Sequence, residues 1–274
     1  MRLLLSFALC FCIIQTQAQT DSLSAKFPAD SGYLSSFDGT KIYYEIRGEG
    51  RPVLLVHGFI VSSSSWKRAA LYSELLNAGY KVIILDMRGN GKSDKPHDSL
   101  AYDNDAEAKD IMLLMDRLKI KEYTAIGYSR GSIITARLLI LDKRVKAAVM
   151  GGMGTDFTNP EWPRRKMFYR AMMGDDIPEL KGAIEYVKQQ GLDQLALAYL
   201  QRAQPSASKD VLGKIEQPVL VICGDKDTDN GSAGDLAKLL PNSAFVSVPG
   251  DHNHASATKE FAEAVKIFLD KKYR

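Results

Sequence analysis

From Gly32 onward the chain alternates short runs rich in β-branched and aromatic residues with longer stretches whose apolar residues recur every three or four positions. The short runs predict strands at residues 33–37, 41–47, 53–56, 82–85, 123–126, 145–150, 219–223 and 244–248. The longer stretches predict helices at 66–78, 105–118, 131–141, 232–240 and 258–272. Strands separated by helices read as a mostly parallel sheet covered on both faces. The first two strands flank Asp38-Gly39, a turn dipeptide, and are expected to form an antiparallel hairpin.

One interval breaks the rhythm. Roughly 60 residues separate the strand ending near Met150 from the one starting near Val219, too many for a simple connection. The expected fold class is therefore α/β: an eight-stranded mostly parallel sheet with helices on both faces and a small helical cap, about 155–212, inserted after the sixth strand. Within the cap, Trp162, Met167, Phe168, Tyr169, Met172 and Met173 fall at helical spacing. Such an apolar face either packs the cap onto the main domain or walls a substrate, and Trp162, Met167, Phe168 and Met172 are the candidate substrate contacts.

The N-terminus follows another pattern. Met1-Arg2, an apolar run over residues 3–14 and the small residues Thr16 and Ala18 read as a secretory signal peptide at 1–18, leaving a domain at 19–274. The run is shorter than the ~20 residues that a membrane-spanning helix needs, so a secreted or periplasmic protein with no membrane contact after cleavage is expected. Cleavage would remove Cys10 and Cys12. Cys223, in the apolar run 219–223, is then expected to be a buried structural thiol.

Composition narrows the function classes. The 274 residues are 45% hydrophobic and 25% charged, which supplies a sizeable core and excludes disorder as the main description. Lys and Arg (36) nearly balance Asp and Glu (33), so the net charge of +3 gives no reason to expect a nucleic-acid partner.

Four segments carry candidate chemistry. Gly127-Tyr128-Ser129-Arg130-Gly131 follows a predicted strand and opens a predicted helix, the context of a nucleophile elbow. Glycines two residues either side of Ser129 leave room for a sharp turn, and the helix N-terminus directs N–H groups toward developing negative charge. A serine needs a base, and the base needs an acid that fixes its tautomer. Among the four histidines, His252 and His254 lie just beyond the last strand, where open α/β sheets bind ligands. His252 is the preferred base and His254 the alternative. Asp227, in Gly224-Asp225-Lys226-Asp227, is preferred as the acid over Asp225, which reads as a turn-former or a partner of Lys226. The second oxyanion donor, beside the Arg130 N–H, is placed on His57-Gly58-Phe59-Ile60, with Phe59 N–H first and Ile60 second. His57 itself is expected to buttress that loop. Gly91-Lys92-Ser93 ends like a phosphate-binding loop, but Asp86 stands where that motif requires glycine, so no nucleotide site follows. No metal or other cofactor is expected, because His252 and His254 have no third ligand at a supporting spacing.

His57-Gly58-Phe59, the Asp86–Ser93 loop, the 127–131 elbow, Gly224 with Asp227, and Gly250-Asp251-His252 together resemble the α/β-hydrolase superfamily. The likeness runs from about Tyr33 to Phe268 and is nearest to small-capped serine esterases, cofactor-free haloperoxidases and C–C bond hydrolases. It implies a Ser129, Asp227 and His252 triad and a structural role for the Asp86–Ser93 loop. Arg130 departs from the apolar or Gln residue more usual after the nucleophile. Its side chain is expected to pair with a cap carboxylate, to bind an acidic substrate group or to serve as a surface anchor. The expected function is hydrolysis of small or medium acyl esters by a serine hydrolase. A perhydrolase or C–C hydrolase with the same triad, or a non-catalytic binder, are the alternatives.

Overall fold

The computed structural model describes residues 26–273, so the signal-peptide assignment lies outside the described residues. The elements in chain order begin with β1 (Asp30–Ser35), β2 (Lys41–Arg47) and β3 (Pro52–Val56). They continue with α1 (Ser64–Arg68), α2 (Ala70–Asn77), β4 (Lys81–Leu85), α3 (Ala106–Arg117), β5 (Tyr123–Tyr128), α4 (Arg130–Leu141) and β6 (Val145–Gly151). The inserted helices α5 (Pro163–Met172), α6 (Lys181–Gln189), α7 (Gln194–Arg202) and α8 (Lys209–Leu212) come next. The chain closes with β7 (Val219–Gly224), α9 (Ala233–Leu239), β8 (Ser243–Val248) and α10 (Lys259–Tyr273).

The eight strands form one sheet in the order β1-β2-β4-β3-β5-β6-β7-β8. β2 runs against both its neighbours, and every pairing from β4 to β8 is parallel. This is the α/β-hydrolase fold that the resemblance implies. The central strands are buried on both faces, and their side chains divide by alternation. Leu54, Ile83, Ala125 and Val221 join a core under α3, α4 and α9, whereas Val53, Val82, Ile126 and Leu220 join one under α1, α2 and α10.

Two sequence expectations are corrected. The first strand is Asp30–Ser35 and not 33–37, because the backbone already turns at Ser36, whose N–H and carbonyl bond Thr40 and Gly39 around the tip. The single helix expected at 66–78 is two, broken at Ala69 with ψ 144°. At 100° per residue, Trp66 and Leu75 would lie about 180° apart on one straight helix. The break lets both enter the same core.

The inserted helices carry a small core of their own, built on Met172, Val187, Ala196, Leu197 and Leu200. Phe59 and Ile60, from the loop after β3, pack against it. The insertion is thus seated over the carboxyl ends of the parallel strands.

Candidate active site

Four loops at the carboxyl ends of parallel strands meet beneath the insertion, and sheet register brings them there. Val56 pairs with Gly127, which sets the loop after β3 beside the turn after β5. Gly224 pairs with Val248, which sets the loops after β7 and β8 side by side.

The turn after β5 is sharp for steric reasons. Ser129 adopts φ 55° and ψ −124°, a conformation that side chains disfavour. A Cβ on Gly127 would lie 2.2 Å from the Gly131 carbonyl oxygen, and one on Gly131 would lie 2.2 Å from that of Val56. Neither position admits any other residue without moving backbone. The turn is held where Ser129 N–H donates to Gly151 O at 2.8 Å.

His252 reaches this serine across the end of β6. Its Nε2 lies 2.9 Å from Ser129 Oγ and its Nδ1 lies 2.8 Å from Asp227 Oδ2. The side chain of Asp227 is 2% exposed and that of His252 18%, so the carboxylate is sheltered and the ring edge is reachable. Burial alone would raise the Asp227 carboxyl, but the bond to His252 and the imidazole charge outweigh it, joined by the Asp229 N–H and the Cys223 thiol. The net displacement is below the ordinary carboxylate value, so Asp227 stays ionised into acid.

Tyr128, inside the elbow, fixes the histidine loop by donating its O–H to His252 O at 2.8 Å. Gly152 makes room for it, since a Cβ there would meet the Tyr128 ring at 2.6 Å. Asp225 accepts the Gly250 N–H at 2.9 Å and so acts as the turn-former expected of it. His254 faces the other way, with Nδ1 2.6 Å from Asp251 Oδ1 and a side chain 78% exposed. Geometry therefore separates the two histidines and the two aspartates that spacing alone left open. Cys223 is buried with its thiol pushed up to about 12 by desolvation and by Asp227, a poor nucleophile.

The loop after β3 is braced from behind. Met87 N–H donates to His57 Nε2 at 3.0 Å, so Nδ1 carries the proton and donates to Gly58 O at 2.7 Å. Burial holds His57 well below its ordinary value, which keeps it neutral. Asn90 Nδ2 donates to the carbonyls of Phe59 and Val61, and Asp86 accepts the N–H groups of Ser63 and Lys92. A Cβ on Gly58 would touch Ser129 Cβ at 3.6 Å, so the loop lies against the serine. Among the described residues, neither the Phe59 nor the Arg130 N–H donates to another protein group.

The candidate cap contacts separate by position. Phe168 stands edge-on to Phe59, ring centroids 5.7 Å apart, and the Arg164 guanidinium lies over the Phe168 ring, 5.3 Å from its centroid. Met167 is half-buried on the same helix. Trp162 is buried in the main core and Met172 in the core of the insertion, so packing accounts for their apolar character. The Arg130 side chain is no surface anchor and pairs with no cap carboxylate. It is buried and bonds Glu107 of α3 and the Leu200 carbonyl of α7. Tyr128 and Asn90 were not singled out by sequence reasoning. The elbow motif leaves its second position free, and a loop asparagine gives no periodic signal.

Comparison with known proteins decides the family. The sequence profile of the alpha/beta hydrolase fold matches residues 51–194. The chain belongs to the α/β-hydrolase family. Within that family it is similar to a protein of Synechocystis sp. assigned as a non-heme chloroperoxidase, 31% identical over 243 residues that cover 76% of this chain and 87% of the relative. It is also similar to the non-heme chloroperoxidase of Streptomyces lividans, 29% identical with 80% of this chain and 91% of the relative covered. Among solved α/β-hydrolase structures, the bromoperoxidase of Bacillus anthracis superposes with a TM-score of 0.71 at 25% identity, covering 88% of this chain and 100% of the other.

Proposed function

We propose that this α/β-hydrolase is a serine hydrolase that cleaves carboxylic esters of small or medium acyl groups through an acyl-enzyme. The observation that carries the reading is His252 bridging Ser129 Oγ and Asp227 Oδ2 at 2.9 and 2.8 Å. A hydroxyl becomes an effective nucleophile when an aligned imidazole takes its proton, and that imidazole needs a carboxylate on its far nitrogen.

In this reading Ser129 Oγ attacks the ester carbonyl carbon while its proton passes to His252 Nε2. Asp227 holds the Nδ1 proton and stabilises the imidazolium. The oxyanion accepts from the Phe59 and Arg130 N–H groups. Collapse breaks the bond to the alcohol, which leaves with the proton from His252. Water then attacks the acyl group, His252 takes and returns one proton, and the carboxylic acid departs with Ser129 restored. Phe168 supplies the apolar wall for the acyl chain.

The similarity to non-heme chloroperoxidases favours one second reading, in which hydrogen peroxide replaces water in deacylation and a peracid leaves. Export is part of the proposal, supported by Met1-Arg2, the apolar run 3–14 and Ala18.

The test is a series of p-nitrophenyl esters with acyl chains from two to eight carbons. Turnover is expected to fall on the order of 10⁴-fold or more in Ser129→Ala, since a triad that loses its nucleophile keeps only residual binding effects. A Ser129→Ala protein that retains wild-type turnover contradicts the reading.

A further inference from the structure

We infer that Arg130 is a positioning residue: through its buried guanidinium it locks the oxyanion-forming turn to the seat of the cap. The inference rests on the serine-hydrolase reading, because it concerns the N–H of this same residue.

The guanidinium joins two partners. Both Nη groups meet Glu107, Nη1 at Oε1 and Nη2 at Oε2 at 2.5 Å, and Glu107 lies in the first turn of α3. Nη2 also donates to Leu200 O at 3.2 Å, a carbonyl in the last turn of α7. A carboxylate near a helix N-terminus and a cation near a helix C-terminus both satisfy the local dipole and the unpaired backbone groups there. Three helix ends are therefore joined at one side chain, and its own backbone follows the strained Ser129 directly. Arg130 is 3% exposed, and its Nε, also buried, has no acceptor among the described residues. A second rung repeats the pattern two turns along α4. Arg137 meets both oxygens of Asp105 at 2.7 Å and donates to Ser206 O at 3.4 Å, farther from the serine.

Stability does not explain the inner rung. A buried ion pair is commonly replaced by apolar residues of similar volume with no loss of stability, whereas removing one partner strands a charge. What an apolar pair cannot supply is a directional tie that fixes the turn carrying the Arg130 N–H. A displacement of about 1 Å at such a donor costs on the order of a hundredfold in rate.

The test uses the full chain and hydrolysis of a short p-nitrophenyl ester. Wild-type turnover and labelling of Ser129 by a fluorophosphonate come first, because their absence contradicts the serine-hydrolase reading itself. With both present, the paired variant Arg130→Met with Glu107→Met is expected to keep its Tm and KM near wild type while kcat falls about tenfold to a hundredfold. Arg137→Met is expected to lower Tm and leave kcat unchanged. Wild-type kcat in the paired variant overturns the inference, since a purely structural pair restored in volume restores everything. Should the paired variant not fold, Arg130→Lys keeps the charge without the fork and is expected to lose about tenfold in kcat at unchanged KM. Full kcat in Arg130→Lys overturns the inference equally.

Discussion

The Asp225 carboxylate accepts the Gly250 N–H at 2.9 Å, a tie placed two residues before each member of the Asp227–His252 pair. Gly224 permits it, because a Cβ there would lie 2.1 Å from Gly250 O. The two aspartates thus act differently, and kinetics separates them. Asp225→Ala is expected to lower kcat on the order of tenfold by loosening the histidine loop. Asp227→Asn is expected to lower it on the order of 10⁴-fold, because an amide N–H at Nδ1 enforces the wrong imidazole tautomer. Equal effects of the two substitutions would contradict this division.

Ser129 holds φ 55° with a side chain attached. Such a conformation costs roughly 1–3 kcal/mol, which glycine does not incur. Ser129→Gly is therefore expected to abolish ester turnover while raising Tm by about 2–4 °C per kcal/mol recovered. Calorimetry of both proteins checks this, and a lower Tm in the variant would contradict the strain.

His57 gives stability a pH dependence. Its folded pKa is depressed by burial from the ordinary 6.5, so below that value the unfolded chain binds a proton that the folded one refuses. Stability is complete above pH 6.5 and is lost as pH falls toward the depressed value, with a limiting slope of about 1.4 kcal/mol per unit. Denaturant unfolding between pH 7.5 and 5 is expected to show this loss in the wild type and less of it in His57→Gln. Parallel profiles would contradict the assignment.

The Phe168 ring, from the inserted helices, stands edge-on to Phe59 with centroids 5.7 Å apart, which sets a cap side chain against the loop after β3. Phe168→Ala is expected to raise the ratio of kcat/KM for octanoate over acetate esters about tenfold, since room for one further methylene contributes roughly 1–3 kcal/mol. An unchanged ratio would place the acyl wall elsewhere.

Much of this arrangement was legible in the chain. Short unbroken apolar runs rich in β-branched residues marked the central strands, because a parallel strand buried on both faces leaves almost no position for a polar side chain. Ser129 was legible because the steric demands on Gly127 and Gly131 are local. His252 and Asp227 were narrowed to two candidates each, and only the crossing of the β8 loop over β6 separates them. The apolar face of α5 was legible, but periodicity does not say what covers a face, so buried Trp162 and Met172 read like Phe168. The partner of Arg130 was hidden entirely, because Glu107 lies 23 residues away on a helix whose packing follows from the sheet order.

The most direct measurement is covalent labelling of the purified protein with a fluorophosphonate, located by mass spectrometry of tryptic peptides. One equivalent is expected on Ser129, in the peptide of residues 122–130, with ester turnover lost in proportion and no adduct in Ser129→Ala. An enzyme that hydrolyses esters at full rate with Ser129 unlabelled, or with the adduct on another residue, would contradict the account.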